Sequence, residues 1–188
     1  METVTDRELL QRAQNHELQA LAEIYDRWSP ALYRYAVRLL GEADLAEECV
    51  AETFSRFLAA LKQGRGPRDY LQAYLYRIAH NWITDQYRSH APLLVPLDPG
   101  LHADPEAEPS RQAIEELERR QLRAALSRLT PEQRQVIVLK YVEEWDNEGI
   151  ARALNRPVGA IKALQHRALE SLRRILISAW TGSEDETN

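Results

Sequence analysis

The sequence predicts an all-α fold with two small helical domains: an N-terminal helical bundle and a C-terminal helix-turn-helix bundle, joined by a flexible linker. Apolar residues recur at spacings of three and four through residues 1–90 and 112–177, the period of a helix with one buried face. No segment alternates with period two, and no hairpin turn joins β-branched runs. Five of the nine prolines fall between residues 92 and 109, where they separate the two helical regions.

Residues 1–90 predict a bundle of about four helices. Apolar positions repeat with the helical period from residue 9 onward, and this pattern ends near Gly41. The next helix is expected over about 44–61 and stops at the breaker "KQGRGP". A further helix is expected over roughly 67–89.

Two segments are predicted to lack regular structure. Residues 91–111 form the proline-rich, acidic linker, because proline removes amide donors and the acidic side chains keep the segment solvated. Residues 178–188, "SAWTGSEDETN", predict a disordered acidic tail.

Capping signals mark the first helices of the C-terminal domain, residues 112–177. A long charged helix is expected over 111–128. Thr130 then supplies an N-cap, Pro131 suits the first helical position, and Gln133 completes a capping box.

A helix-turn-helix is predicted next. Asp146 is placed to cap a short helix that runs through Leu154. Asn155 tolerates a left-handed backbone, and Pro157 starts the last helix. A short helix, a tight turn and a longer helix form the helix-turn-helix unit.

The composition favours a soluble protein that binds rather than catalyses. No apolar run is long enough to cross a bilayer and the charged N-terminus has no signal core, so a cytoplasmic protein without membrane insertion is expected. The single cysteine, Cys49, excludes an intrachain disulfide and indicates a small core residue. The five histidines are not at metal-ligand spacing, and no phosphate-binding glycine loop or nucleophile elbow is present. We therefore expect no metal, no cofactor and no enzymatic activity.

The charge is distributed unevenly. The chain has a net charge of −5, yet residues 121–177 carry 10 basic and 6 acidic side chains. Residues 91–120, in contrast, carry 3 basic and 7 acidic ones. A basic domain within an acidic chain indicates a polyanionic partner for that domain.

The last predicted helix divides into an apolar stripe and a basic face. Ile161, Leu164 and Ala168 lie on the stripe. The candidate DNA contacts lie in the turn and on the other faces: Arg156, Lys162, Gln165, His166 and Arg167. A recognition helix needs this division, because long polar side chains reach base edges while basic ones meet phosphates. The alternative interpretation is an ordinary solvated face of a surface helix.

The stretch "YLQAYLYRIAHNWITDQYRSH", residues 70–90, interleaves aromatic, basic and amide side chains. Such a mixture suits single-stranded nucleic acid, because bases stack on rings at about 1–3 kcal/mol each while cations follow the backbone. The alternative is that its aromatic residues belong to the core. The candidate contacts are Tyr76, Arg77, His80, Asn81, Thr84, Tyr87 and Arg88.

A third stretch, "DLAEECVAETFSRFLAALKQG", has an acidic side opposite its apolar face. Glu47, Glu48 and Glu52 form that side. The pattern is equally compatible with a solvated face and with a docking surface for a helical partner.

These three stretches, in this order, resemble the extracytoplasmic-function (ECF) sigma factors, group IV of the sigma-70 family of bacterial RNA polymerase. Residues 45–54, "LAEECVAETF", resemble a family helix that reads D-A-E-D-L-V-Q-E-T-F. Residues 74–88, "YLYRIAHNWITDQYR", resemble W-L-Y-R-I-A-R-N-x-x-x-D-x-x-R. The C-terminal domain resembles L-x-x-x-Q-R-x-V-x-x-L-x-Y, I-A-x-x-L and P-x-G-x-V-K-x-x-x-H-R-A in turn.

The resemblance implies promoter recognition and transcription initiation together with core RNA polymerase. Residues 1–90 would act as region 2, recognising and melting the −10 element as single-stranded DNA. Residues 112–177 would act as region 4, reading the duplex −35 element and resting on the β flap. An anti-sigma factor is a further expected partner. The side chains expected to bind the β′ clamp helices are Glu47, Glu48, Glu52 and Arg56.

Two other functions remain open at this point. The chain could be a sigma-like decoy that binds an anti-sigma factor without reading DNA, although such a decoy has no need of Lys162 and Arg167. It could also be a stand-alone helix-turn-helix regulator, which leaves the first domain without a role.

Overall fold

The computed structural model describes residues 5–89 and 111–181 and confirms an all-α protein. The predicted linker lies outside the described residues except for Arg111, which begins a helix. The last helix continues through Thr181, so the predicted tail begins too early at residue 178. Residues 182–188 lie outside the described part of the chain.

The N-terminal half, residues 5–89, contains four helices. They are α1 (Asp6–Gln14), α2 (Leu18–Leu40), α3 (Ala43–Lys62) and α4 (Leu71–Ser89). Gly41 ends α2, as the sequence predicts, and it has a left-handed φ of 77°, which glycine adopts without a Cβ clash. The apolar faces meet in a core that includes Leu9, Ile24, Phe57 and Leu75.

The predicted start of α4 at residue 67 is wrong by about one turn. Tyr70 has a φ of 56°, a left-handed backbone that a right-handed helix cannot include. The carbonyl of Pro67 accepts a 2.8 Å hydrogen bond from Gln14 Nε2, which ties the preceding loop to α1. The helix therefore begins at Leu71.

The C-terminal half, residues 111–181, begins with α5 (Arg111–Ser127) and α6 (Pro131–Ile137). The predicted capping box is present: Thr130 Oγ1 accepts from the Gln133 amide, and Gln133 Oε1 accepts from the Thr130 amide. Beyond its predicted start, α6 continues into one turn of π-helix, Val138–Val142, which the apolar pattern does not indicate.

The helix-turn-helix is formed by α7 (Asn147–Leu154) and α8 (Val158–Thr181). Asp146 Oδ1 accepts from the Gly149 amide at 2.6 Å, which confirms the predicted cap of α7. Asn155 has a φ of 53°, the left-handed conformation expected in the turn.

The two halves pack against each other through α4, which lies on α7, and their buried apolar residues form one continuous cluster. Tyr76 and Ala79 of α4 are buried, as are Leu71, Leu75 and Trp82 on the stripe predicted from the sequence. The helix α4 therefore packs against α7 as well as against its own bundle. The helical period of the sequence does not reveal this second contact.

Candidate nucleic-acid and polymerase interfaces

The first half of α8 presents a basic face to solvent. Ile161, Leu164 and Ala168 are buried and fix the helix against its own domain. Lys162, His166 and Arg167 are exposed on the other faces. Arg156, in the turn, is also exposed and forms an ion pair with Glu132. The basic residues of the predicted recognition helix thus lie together on an accessible surface.

Gln165 differs from the other four candidates because it is half-buried. Its Nε2 donates a 2.8 Å hydrogen bond to Asn147 Oδ1, at the start of α7. This bond joins the two helices of the helix-turn-helix and fixes the angle at which α8 is presented.

The candidate contacts on α4 divide into two groups. Asn81 and Arg88 are exposed. The others are covered to different extents, several of them by the C-terminal half: Tyr76, Arg77, His80, Thr84 and Tyr87. The structure therefore brings these side chains together on one helix but leaves only part of that surface open.

Tyr76 lies between two aromatic rings. Its ring centroid is 5.0 Å from that of Tyr35 and 4.8 Å from that of Trp145, which comes from the C-terminal half. The Tyr76 hydroxyl donates to Glu143 Oε2 at 3.3 Å, and Arg38 donates to Glu143 Oε1 at 2.5 Å. Burial raises the pKa of Tyr76, and the Glu143 carboxylate raises this pKa further.

Arg77 binds the carboxyl end of α7. Its Nε donates to the carbonyl of Ala153 at 3.0 Å, and its guanidinium also donates to the carbonyl of Arg152 at 2.7 Å. These carbonyls belong to the last turn of the helix, where the helix dipole is negative and a cation is stabilised.

His80 faces a buried cation. Burial and the Arg134 guanidinium lower the pKa of His80 from 6.5 to about 3, so its ring is neutral at physiological pH. The Thr84 hydroxyl lies 3.2 Å from His80 Nε2. Arg134 itself lies over the Tyr87 ring, with its guanidinium carbon 3.7 Å from the ring centroid.

The acidic side of α3 is accessible. Glu47 and Glu48 are exposed, while Glu52 accepts a 2.6 Å hydrogen bond from Arg56 one turn later. Cys49, on the opposite side, is fully buried, as the sequence predicts, and burial raises the pKa of its thiol to about 12. The helix thus has a buried apolar face on one side and an accessible acidic surface on the other.

Several residues of the contact between the halves are not predicted from the sequence: Arg38, Arg134, Glu143 and Trp145. Trp145 precedes the N-cap Asp146, a position at which an apolar residue often packs against its own helix. That local signal could have marked Trp145 as partly buried. Its contact with Tyr76 joins residues far apart in the sequence, so no local pattern contains it.

The described ranges, 5–89 and 111–181, contain neither a membrane-spanning helix nor a metal-binding cluster. None of the helices there is long and apolar enough to traverse a bilayer. No group of three or more histidine, cysteine or carboxylate side chains in these ranges is arranged to hold a metal ion.

The fold and the exposed basic face of α8 define a helix-turn-helix DNA-binding protein with two helical regions. Residues 24–92 match the family model "Sigma-70 region 2", and residues 119–172 match "Sigma-70, region 4". The ECF RNA polymerase sigma factor BldN of Streptomyces coelicolor is 34% identical over 175 residues, which cover 90% of this chain and 65% of BldN.

SigL, an ECF RNA polymerase sigma factor of Mycobacterium tuberculosis, is 31% identical over 160 residues, covering 85% of this chain and 90% of SigL. In fold, the chain resembles CnrH in complex with the cytosolic domain of CnrY, with a TM-score of 0.68 and 24% identity over 92% of this chain and 97% of that one. The chain belongs to the ECF group of the sigma-70 family and is an RNA polymerase sigma factor.

Proposed function

We propose that the chain initiates transcription at specific promoters by dividing their recognition between its two halves. Residues 1–90 act at the −10 element and on the polymerase clamp, and residues 112–177 act at the −35 element. The observation that carries this proposal is the exposed basic face of α8, in a chain whose halves match sigma-70 regions 2 and 4 in order.

At the −35 element, α8 enters the major groove of duplex DNA. Lys162, His166 and Arg167 are exposed and can reach base edges and phosphates, and Arg156 extends this surface from the turn. Gln165 adds a fifth contact from a position that its bond to Asn147 holds in place.

At the −10 element, α4 binds unpaired bases of one DNA strand. Tyr76 and Tyr87 supply rings for stacking, while Arg77 and Arg88 supply cations for the backbone. Three polar side chains complete the surface: His80, Asn81 and Thr84.

On the polymerase, the acidic side of α3 docks on the β′ clamp helices. Glu47 and Glu48 are exposed, and the ion pair of Glu52 with Arg56 lies on the same helix. The C-terminal half rests on the β flap. The chain acts in the cytoplasm, by binding rather than by catalysis, and requires no cofactor of its own.

An anti-sigma factor is a further proposed partner. The sigma factor RpoE of Bartonella quintana, which has a similar fold with a TM-score of 0.52 and 22% identity, was solved in complex with the anti-sigma factor NepR. To test for such a partner, the proteins encoded by the neighbouring genes are purified. One of them is expected to inhibit transcription initiation by this chain and core polymerase.

The −35 assignment is tested by charge reversal on α8. Core polymerase loaded with Lys162→Glu/Arg167→Glu should select no promoter fragment from genomic DNA, because the cations that meet phosphates become anions. The matched control is Arg173→Glu/Arg174→Glu, two exposed arginines further along the same helix, and it should retain selection. Equal selection by both double variants would overturn the assignment of the −35 contact to this face.

A further inference from the structure

Residues 143–145 occupy the surface of α4 that the proposed function assigns to single-stranded DNA. The Trp145 ring packs against Tyr76, and the Glu143 carboxylate accepts hydrogen bonds from Tyr76 and Arg38. The Trp145 ring is tilted by 57° to the Tyr76 ring, so it does not stack in parallel, but it occupies the space beside Tyr76 that a base would need. The Glu143 carboxylate on Arg38 takes the place of a phosphate.

We propose that residues 143–145 are an internal mimic of single-stranded DNA, which keeps the −10 surface closed until nucleic acid or polymerase displaces it. Trp145 stands in for a base and Glu143 stands in for a phosphate. Displacement exposes one face of the Tyr76 ring and releases Arg38, which becomes a phosphate contact that the sequence analysis does not include. The inference rests on the proposed function of α4.

The contact between the halves also occupies the Arg77 guanidinium. The carbonyls of Arg152 and Ala153 are held by the guanidinium at 2.7 and 3.0 Å, and they carry the negative partial charge of the α7 C-terminus. A phosphate oxygen offers the same guanidinium a negative acceptor. Both cations that flank Tyr76, Arg38 and Arg77, therefore have an acceptor in the C-terminal half that DNA can replace.

Polar groups within the contact between the halves lower the stability of the closed state. Glu143 and its partner Arg38 lie near the surface, with side chains 12% and 43% exposed, so water reaches this ion pair. Deeper in the contact, the buried His80 Nδ1 has no hydrogen-bond partner among the described residues. A buried polar atom without a partner makes the closed state less stable than a fully satisfied contact would be.

Residues 143–145 also lie where they can compete with DNA for the surface of α4. The π-helix Val138–Val142 precedes it and Glu144 follows Glu143 with a left-handed φ of 57°, so the chain turns sharply between α6 and α7. The turn projects Glu143 and Trp145 towards α4, while Glu144 is exposed to solvent. Glu143 contacts Tyr76 of α4, whereas Glu144 is exposed, so Glu144 provides a control of the same charge.

The experiment measures the affinity of the full chain, without polymerase, for a short fluorescent single-stranded DNA of random sequence. Glu143→Gln and Trp145→Ala should each raise this affinity by about threefold to tenfold, because the open fraction of the chain increases. Glu144→Gln removes the same charge outside the contact, and Trp145→Phe keeps a ring on Tyr76, so both should bind DNA as the wild type does.

Compactness is measured on the same variants by small-angle X-ray scattering. Trp145→Ala and Glu143→Gln should increase the radius of gyration, and Trp145→Phe and Glu144→Gln should leave it unchanged. An unchanged radius in all four variants would overturn the proposal, as would equal DNA affinity for Glu143→Gln and Glu144→Gln. A larger radius without a gain in DNA affinity would also overturn it, since the segment would then close the chain without competing with DNA.

These results are distinguishable from failure of the proposed function. If wild-type chain and core polymerase start no transcript, the proposed function fails whatever the variants show. If the wild type supports initiation while Glu143→Gln and Trp145→Ala behave as their controls do, the internal mimic alone is wrong.

Discussion

Arg134 shows how a single buried charge can organise one half of the molecule. Its Nε donates to the carbonyl of Leu126, and its guanidinium also donates to the carbonyls of Ser127 and Leu129, at 2.8–3.1 Å. These carbonyls lie at the end of α5 and in the connection to α6, where the regular helical hydrogen bonds come to an end. With the Tyr87 ring on its other side, the guanidinium joins α5, α6 and α4.

Replacing this charge should destabilise the fold. Arg134→Met is expected to lower the free energy of unfolding by about 3 kcal/mol, because the carbonyls that Arg134 holds lose a charged donor inside the protein. Chemical denaturation measures the change. Arg128→Met, at an exposed position nearby, is the control and should change the free energy by less than about 0.5 kcal/mol. A similar effect of both substitutions would contradict this role of Arg134.

His80 makes stability depend on pH. Its folded-state pKa of about 3 lies below the ordinary value of 6.5, so the unfolded chain binds the proton more readily. The stabilising contribution of the neutral ring is complete above about pH 6.5 and falls as the pH drops towards 3. From pH 7 to about pH 5.5, we expect a loss of about 1.3 kcal/mol, measured by denaturation at both values.

The control for this pH dependence is His80→Gln, which keeps a polar group beside Thr84 but cannot titrate. The variant should lose less stability than the wild type over the same pH interval. If the free energy of unfolding of the wild type and of His80→Gln fell equally over this interval, a group other than His80 would take up the proton.

At the scale of helices, the sequence predicts boundaries where local chemistry sets them. The ends at Gly41 and Asn155 and the starts after Thr130 and Asp146 each depend on residues within one turn. The start of α4 and the π-helix Val138–Val142 were missed. A left-handed tyrosine and an i→i+5 turn leave no trace in the apolar period, because tertiary packing imposes both.

The turn of the helix-turn-helix gives a test at this scale. Asn155→Ala should lower the free energy of unfolding by about 1–2 kcal/mol, because a Cβ without a helpful polar group is strained at a φ of 53°. Asn155→Gly has no Cβ and should equal or exceed the wild type in stability. Thermal and chemical denaturation of the two variants compare them directly, and equal stability of the alanine and glycine variants would contradict the strain argument.

For the whole molecule, the sequence predicts two helical domains but not how they meet. Exposed residues such as Lys162 and Glu48 could be assigned to surfaces from the helical period alone. Tyr76 could not be placed, because its burial depends on Trp145, a partner outside its own bundle. The candidate sites were thus predictable as faces of helices, whereas their accessibility depends on long-range contacts.

The polymerase-binding assignment is tested on the complete chain. Glu48→Lys should weaken binding to core polymerase by about tenfold, because it reverses a charge at the centre of the acidic surface on α3. Glu118→Lys makes the same change at an exposed site on α5 and is the control. Gel filtration and fluorescence titration with core polymerase measure the affinity, and equal loss in both variants would indicate a general charge effect.

Run-off transcription with purified core polymerase on a genomic fragment library tests the central claim most directly. We expect discrete transcripts that require the wild-type chain, disappear with Lys162→Glu/Arg167→Glu and persist with Arg173→Glu/Arg174→Glu. Transcripts of the same set and amount with and without the chain, from a core that is active with another sigma factor, would contradict it.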